Sequence, residues 1–152
     1  MTARPEFSRP VLVATIRPDG EEVTLTATEP EQAALARRLG VERVSGLEAE
    51  LRLRPRGKGV VAVRGRLRAR LGRLCVVSLE PLEEVIDERF AVIFHPEGTA
   101  PGEVELDAEA EDEEPYEGNT IDLGEQVAQT LALVMDPWPR APGAELPKGE
   151  VS

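Results

Sequence analysis

The strictest pattern in this sequence is an alternation of apolar and charged residues from Val61 to Leu71. Apolar residues or glycine occupy one set of alternate positions, namely Val63, Gly65, Leu67, Ala69 and Leu71. Arginine occupies the positions between them, namely Arg64, Arg66, Arg68 and Arg70. Successive side chains of a β-strand point to opposite faces, so this pattern predicts a strand with one face buried and the other in water. A half-buried strand needs partner strands, and the chain must therefore build a β-sheet.

Two other segments have strand periodicity and supply such partners. Val44 to Leu53 places Leu47, Ala49, Leu51 and Leu53 on one face. Val85 to Phe94 places Ile86, Phe90, Val92 and Phe94 on one face. We expect a turn at Pro55–Gly59, and a short buried strand at Leu74–Val77. Near the N-terminus, Val11–Ile16 and Glu22–Ala27 flank Arg17-Pro18-Asp19-Gly20, which predicts a β-hairpin around that turn.

Two helices complete the expected fold. Thr28 is suited to cap the first helix and Gly40 to end it. Asp122 is suited to cap the second, with Glu125 returning the bond as in a capping box, and Pro137 ends that helix. The fold class is therefore α+β, a strongly twisted antiparallel sheet of about five or six strands with two helices. The pattern leaves open whether the sheet closes partly into a barrel.

Charge is distributed very unevenly along the chain. The net charge is −11, yet residues 43–73 carry ten basic and two acidic side chains, whereas residues 80–152 carry three basic and twenty acidic. Nine of those acidic residues lie between Glu103 and Glu117. Like-charge repulsion predicts a disordered acidic insert, a flexible loop at about 97–118. We expect one domain over residues 1–152, with an extended tail at 137–152.

The residues needed for catalysis or metal binding are scarce. The chain has one cysteine and one histidine, Cys75 and His95, which cannot form a structural zinc site. We expect Cys75 to be a buried structural thiol and His95 a solvated or hydrogen-bonded side chain. No phosphate-binding glycine loop and no nucleophile elbow is present. We therefore expect a binding protein rather than an enzyme, without catalytic residues, cofactor, metal or small-molecule substrate.

The first ten residues lack the apolar core of a signal peptide, and no long apolar run is present, so we expect a cytoplasmic protein without membrane contact.

The four arginines between Val63 and Leu71 are the strongest candidate for a functional surface. Alternate residues of a strand are spaced by about 6.5–7 Å, which is similar to the spacing of phosphates along a nucleic-acid strand. Arg52 and Arg54, followed by Arg56 and Lys58, can widen this basic surface. Two other interpretations stay open: the arginines pair with Glu48 and Glu50 across the strands, or the acidic insert folds over them.

Three short segments are similar to a known family. They are Leu74-Cys75-Val76-Val77-Ser78-Leu79-Glu80-Pro81, Asp122-Leu123-Gly124-Glu125, and Leu131-Ala132-Leu133 followed by Asp136-Pro137-Trp138-Pro139-Arg140. In this order they resemble the YceD family in the form seen in alphaproteobacteria, as do Arg4–Arg9 and Ala34–Arg38. The resemblance implies a role in accumulation of large-subunit (23S) ribosomal RNA, with no established enzymatic activity. Many relatives carry a second cysteine where this chain has Ser78, so a metal or redox role for Cys75 is not expected here.

The resemblance and the charge pattern together give two hypotheses. In the first, the chain is a ribosome-biogenesis factor that binds rRNA or a ribosomal protein through the arginine-lined strand. In the second, it is an acidic adaptor that holds a basic protein through residues 103–117 and does not contact RNA. The motif residues are expected to mark a turn and a helix cap: Cys75, Leu79, Glu80, Pro81, Asp122, Leu123, Glu125, Pro137 and Pro139.

Overall fold

The structure is a computed structural model that describes residues 6–98 and 112–140. It contains seven strands and two helices in these ranges, together with one turn of 3-10 helix at Val13–Thr15. In chain order they are β1 (Pro10–Leu12), β2 (Glu21–Thr26), α1 (Glu29–Leu39), β3 (Arg43–Gly57), β4 (Val60–Leu74), β5 (Pro81–Pro96), β6 (Asp112–Tyr116), β7 (Thr120–Asp122) and α2 (Leu123–Val134).

The main sheet has five strands in the order β2-β3-β4-β5-β6, with β4 at its centre. The first three pairs are antiparallel and the last, β5 with β6, is parallel. The α+β class is confirmed, whereas the expectation of a wholly antiparallel sheet is wrong at β6. Among the described strands β2 and β6 are the two edges of an open sheet.

One face of the sheet packs against the main hydrophobic core, and the three periodic segments orient as predicted. The predicted inward residues of β3 and β4 are buried, among them Leu47, Leu53, Leu67 and Leu71. On β5, Ile86, Val92 and Phe94 are buried on this same face. A Cβ at Gly65 would lie 2.5 Å from Leu51 Cδ2 and 2.7 Å from Phe90 Cζ, so the glycine leaves the space that these two side chains fill.

The predicted N-terminal hairpin does not form. β1 pairs with β7, from the other end of the chain, and β2 pairs with β3. The turn itself is present, since Gly20 N–H donates to Arg17 O at 2.9 Å with Gly20 at φ 94°. The 3-10 turn at Val13–Thr15 separates β1 from this turn, so the two segments cannot align as neighbours.

The boundaries of two predicted loops are also corrected. β3 continues to Gly57, so the turn expected at Pro55–Gly59 is limited to the residues around Lys58. The expected loop at 97–118 contains β6, whose Pro115 is tolerated because β6 is an edge strand. Residues 99–111 of that loop and residues 141–152 of the expected tail lie outside the described ranges.

Both helices begin at the predicted caps. Thr28 and Glu31 form a capping box at the start of α1, and Gly40 ends this helix in the left-handed conformation. Asp122 caps α2 by accepting from Glu125 N–H at 3.1 Å. The expected return bond from Glu125 is replaced, because its carboxylate instead binds Arg38 of α1 at 2.7 and 2.9 Å.

The segment Glu6–Arg9, which we call the N-terminal strap, is fixed to α2 by the second motif. Asp122 accepts hydrogen bonds from Ser8 Oγ at 2.6 Å and from Arg9 N–H at 2.7 Å. The strap crosses so close to α2 that a Cβ at Gly124 would lie 2.7 Å from Phe7 O and 2.9 Å from Arg9 N. The side chain of Phe7 within the strap is fully buried. The close approach of the two backbones requires glycine at position 124.

Arg9 connects the strap to α1. Its guanidinium binds both carboxylate oxygens of Glu31, at 2.7 and 2.8 Å, and also Thr26 O at 3.1 Å. The hydrogen bonds from Arg9 lower the pKa of Glu31 from 4.5 to about 2. This paired arrangement joins the N-terminal strap to the start of α1 and to the end of β2.

We predict that Gly124→Ala destabilises the protein by about 1–3 kcal/mol, since the added methyl group meets backbone atoms that cannot move independently. Helix propensity alone would give the opposite sign, a gain of about 1 kcal/mol. Urea unfolding followed by circular dichroism measures the difference. A stabilised variant would contradict the close approach of the strap to α2.

Protonation of Glu31 provides a pH test of the strap. A carboxyl with a lowered pKa adds stability above its ordinary pKa of 4.5, and this contribution disappears as the pH falls towards about 2. Arg9→Met should cost about 1–2 kcal/mol at pH 7 and should flatten this part of the stability profile. Glu31→Gln should flatten it in the same way. Urea midpoints between pH 2 and 7 that keep the parental slope in both variants would refute the pairing.

Candidate nucleic-acid interface

The four arginines of β4 share one face of the sheet, as their alternation predicts. This outer face is opposite the hydrophobic core, and the register fixes what lies beside each arginine. Arg64 is opposite Arg52 of β3, and Arg66 is opposite Glu50 of β3 and Arg89 of β5. The cross-strand neighbours therefore differ from one arginine to the next. The net charge around each arginine differs accordingly.

Internal carboxylates neutralise two of the four. Arg66 donates from Nε and Nη2 to the two carboxylate oxygens of Asp87, at 2.8 and 2.6 Å, and these bonds lower the pKa of Asp87. Arg68 Nη2 lies 2.9 Å from Glu48 and 3.0 Å from Glu50. Cross-strand pairing, one of the two interpretations that the sequence left open, therefore prevails at the centre of the four arginines.

Positive charge is concentrated instead where β3 and β4 meet in their hairpin. Arg52, Arg54, Arg56 and Arg64 line a depression of about 310 Å³ around Ala62. A second depression, of about 570 Å³, joins Arg52 and Arg64 to Arg66 and Arg89. We call the group formed by Arg52, Arg54, Arg56, Arg64 and Arg89 the arginine end.

The arginine end contains like charges placed side by side. Arg52 faces Arg64 directly across the strands, at a separation of about 4.5–5.5 Å between Cβ atoms. Within residues 6–98 and 112–140, Arg52, Arg54 and Arg89 form no ion pair. Arg56 and Arg64 have interactions within the protein. Glu22 of β2 lies opposite Arg52 on its other side, and Glu22 and Glu50 line the larger depression. The five arginines outnumber these two carboxylates, so the group favours binding of an anion.

Arg70, the last arginine of the predicted row, lies apart from this group. It is exposed opposite Ser45 and the exposed Val85, and it makes no ion pair with another described residue. Six residues separate it from Arg64, about 20 Å along an extended strand. The structure therefore gives one dense cluster and one isolated arginine rather than a continuous track.

The segment Cys75–Glu80 of the first motif forms the β4–β5 connection and not the predicted buried strand. Val76–Ser78 are in a turn, closed by hydrogen bonds from Leu79 N–H to Cys75 O at 2.8 Å and from Cys75 N–H to Glu80 O at 2.9 Å. Cys75 is fully buried, as expected, and its sulfur accepts from Ser78 N–H at 3.4 Å. Pro81, expected to break the chain, begins β5.

The third motif packs beneath this turn. Val76 N–H donates to Pro139 O at 2.9 Å. The carboxylate of Glu84 accepts from Arg73 on one oxygen and from Asp136 N–H, at 2.7 Å, on the other. Asp136 in turn accepts from Trp138 N–H at 2.8 Å. Pro137 lies two residues beyond Met135, the C-cap of α2, so it follows the end of the helix as predicted.

A family comparison decides what these motifs mean. The family model described as "Large ribosomal RNA subunit accumulation protein YceD" matches residues 63–151, more than half of the 152 residues. The chain belongs to the YceD family. No curated protein and no solved structure matches the chain.

The YceD match includes all three motifs and part of the arginine end. Arg64 and Arg89 lie within it, whereas Arg52, Arg54 and Arg56 precede it. The sequence-based candidates do not include Arg89, although the alternation of Val85–Phe94 already predicts that its side chain faces outward. Ile86 and Phe90 face the core, so the odd-numbered Arg89 faces outward beside the arginines of β4.

The remaining candidates for chemistry are held in internal contacts. His95 is 8% exposed, with Nε2 at 3.0 Å from Glu113 Oε1 of β6, which confirms a partnered histidine. No group of three or more His, Cys, Asp or Glu residues in the described ranges could hold a metal ion. No helix there has the length and apolar character needed to cross a membrane.

Leu79, a residue of the YceD motif, occupies an unfavourable backbone conformation. Its φ is 63°, in the left-handed region, and its side chain is 71% exposed. We predict that Leu79→Gly stabilises the protein by about 1 kcal/mol, since glycine adopts this conformation without the Cβ clash. Chemical denaturation measures the change. The matched control Leu12→Gly, at an exposed leucine with φ −74°, should lose stability instead. Equal losses in both variants would contradict the strain at Leu79.

Proposed function

We propose that this YceD-family protein supports large-subunit rRNA accumulation by binding the rRNA backbone at its arginine end. The family description supports the ribosomal role. The position of Arg52 directly opposite Arg64 carries the rest of the proposal. In this proposal the protein acts by binding in the cytoplasm and catalyses no reaction.

The phosphate backbone is the anion that fits this group best. Guanidinium groups bind phosphate in bidentate geometry, and here they come from adjacent strands and from alternate positions of β3. Arg52 and Arg54 are about 6.5–7 Å apart along the strand, and Arg64 lies one strand away. A bound phosphate between Arg52 and Arg64 would replace their mutual repulsion with attraction. The site then accommodates a short stretch of backbone, not a long extended strand.

Recognition at this site would depend on backbone and shape. No aromatic side chain lines either depression of the arginine end, so the described residues offer no stacking platform for bases there. Phosphate contacts position a protein on RNA but carry no sequence information. A factor of this kind would bind structured rRNA segments with little base preference.

The carboxylates beside the arginine end limit its extent. Arg66 forms an ion pair with Asp87, and Arg68 forms one with Glu50. These two arginines therefore hold the outer face together and present little net charge. The adaptor hypothesis based on residues 103–117 falls largely on 99–111, which lie outside the described ranges. Among the described residues, the arginine end supports RNA as the primary partner.

We predict that Arg52→Ala/Arg54→Ala weakens binding to large-subunit rRNA by about tenfold or more at moderate salt. It should also reduce the slope of log affinity against log salt concentration by about 1–2. The reason is that fewer counterions leave the RNA on binding when the protein makes fewer phosphate contacts. Filter binding or fluorescence anisotropy across a salt series gives both quantities. Circular dichroism should show an unchanged fold, since both side chains are exposed.

Arg37→Ala/Arg43→Ala is the matched control. It removes the same charge from exposed arginines on α1 and at the start of β3, which lies about 30 Å along the strand from Arg52. Binding should change little in this variant. An equal loss in both double variants would attribute the affinity to net charge alone, and parental affinity and slope in Arg52→Ala/Arg54→Ala would reject the arginine end as the RNA site.

A further inference from the structure

We propose that the end of the molecule opposite the arginine end binds a basic protein segment, with Leu79 and Trp138 as its apolar anchors. We call Val76, Leu79 and Trp138 the apolar end. Their exposed fractions are 43%, 71% and 70%, and the hydrogen bond from Val76 N–H to Pro139 O brings the segment with Trp138 to the turn. Other large apolar residues are also exposed, namely Leu12, Leu74, Val85 and Leu133. Exposed apolar groups that are clustered together mark interaction surfaces, and tryptophan is enriched among the residues that dominate binding energy.

The apolar end is held rigidly by hydrogen bonds. Val76 N–H donates to Pro139 O, which brings the chain next to Trp138 against the β4–β5 turn. Glu84 joins Arg73 of β4 to Asp136, and Asp136 accepts from Trp138 N–H. The side chains of Arg73 and Glu84 are only 10% and 16% exposed, so this support is internal. A pre-organised surface loses little entropy when a partner binds.

The conformation of Leu79 is a second, independent sign of a role in binding. A leucine in the left-handed region costs roughly 1–2 kcal/mol, and here the side chain recovers little by burial, being 71% exposed. Glycine would satisfy the same turn without that cost. Backbone strain of this kind is concentrated at functional sites, where the side chain is needed in a position that the fold alone would not select.

The charge around the apolar end identifies the partner's chemistry. Residues 76–88 contain five acidic side chains and no basic one. Glu84 and Asp87 are neutralised by arginines, and Glu83 lies 3.9 Å from Arg43 in a pair whose side chains are 48% and 62% exposed. Glu88 lies further along β5, so Glu80 and Glu83 are the exposed carboxylates beside the turn. Beside Trp138, Asp136 and Arg140 are both exposed. A partner with positive charges flanking an apolar residue complements this pattern.

The two ends are far enough apart to act together. Ten residues of β4 separate Arg64 from Leu74, where the turn begins, which is about 33 Å along the strand. RNA at one end leaves the other accessible. The protein can therefore hold an rRNA segment and a basic protein at the same time, which would join the two hypotheses that the sequence left as alternatives.

Trp138 provides the measurement, because it is the chain's single tryptophan. The probes are individual basic proteins extracted from purified large ribosomal subunits, limited to those without tryptophan; this choice of panel rests on the function proposed above. At least one should shift Trp138 emission to shorter wavelength with saturable binding. Poly-lysine, which has the charge but no apolar anchor, should leave the emission unshifted.

Three variants test the residues. Leu79→Gly should weaken binding of the same protein at least tenfold, without loss of fold, and Glu80→Lys/Glu83→Lys should weaken it several-fold. Leu12→Ala, an exposed leucine on β1, should bind as the parent does. Leu79→Gly should keep its rRNA affinity, and Arg52→Ala/Arg54→Ala should keep its protein affinity, so failure of the RNA site and failure of the apolar end are distinguished.

Three results would overturn the proposal. The first is an unchanged emission maximum with every protein of the panel. The second is parental affinity in both Leu79→Gly and Glu80→Lys/Glu83→Lys. The third is concentration-dependent dimerisation in sedimentation that Leu79→Gly abolishes, which would assign the apolar end to a second copy of the chain.

Discussion

Cross-strand charge pairing on the outer face of β4 is the constraint on which the functional account depends. The four arginines are equivalent in the sequence, and their neighbours on β3 and β5 make them different. Glu48, Glu50 and Asp87 lie beside the central pair and neutralise it. At the hairpin the neighbour of Arg64 on β3 is Arg52, and Arg52 in turn faces Glu22 of β2, so several arginines gather there around one carboxylate. A regular sequence pattern thus becomes a localised anion site because the register is fixed by the buried face.

The same register explains what could be predicted from the sequence. The strands β3, β4 and β5, their inward residues and both helix caps follow from periodicity and capping chemistry, which act over a few residues. The pairing of β1 with β7, and the parallel addition of β6, join segments about 110 and 20 residues apart, and no local signal identifies such partners. Which arginines pair with a described carboxylate was likewise a question of cross-strand neighbours, and the alternative of pairing with Glu48 and Glu50 proved correct for one of them, Arg68.

The family motifs serve the architecture around these sites. Asp122 and Gly124 hold the N-terminal strap against α2, and the strap reaches α1 through Arg9 and Glu31. Cys75 and Pro139 hold the β4–β5 turn against the chain after α2. In each case a motif residue is explained by a backbone contact, whereas the side chain of Leu79 is 71% exposed. That contrast separates the residues that maintain the fold from the surface proposed to bind a partner.

The most direct test of the central claim is ultraviolet crosslinking of the protein to large-subunit rRNA in cells, followed by mass spectrometry of the crosslinked peptides. The account predicts nucleotide adducts on the β3–β4 hairpin, within residues 52–66, and on the part of β5 around Arg89. Adducts confined to the helices, to the N-terminal strap or to the turn at 75–80, with none on the hairpin, would contradict it.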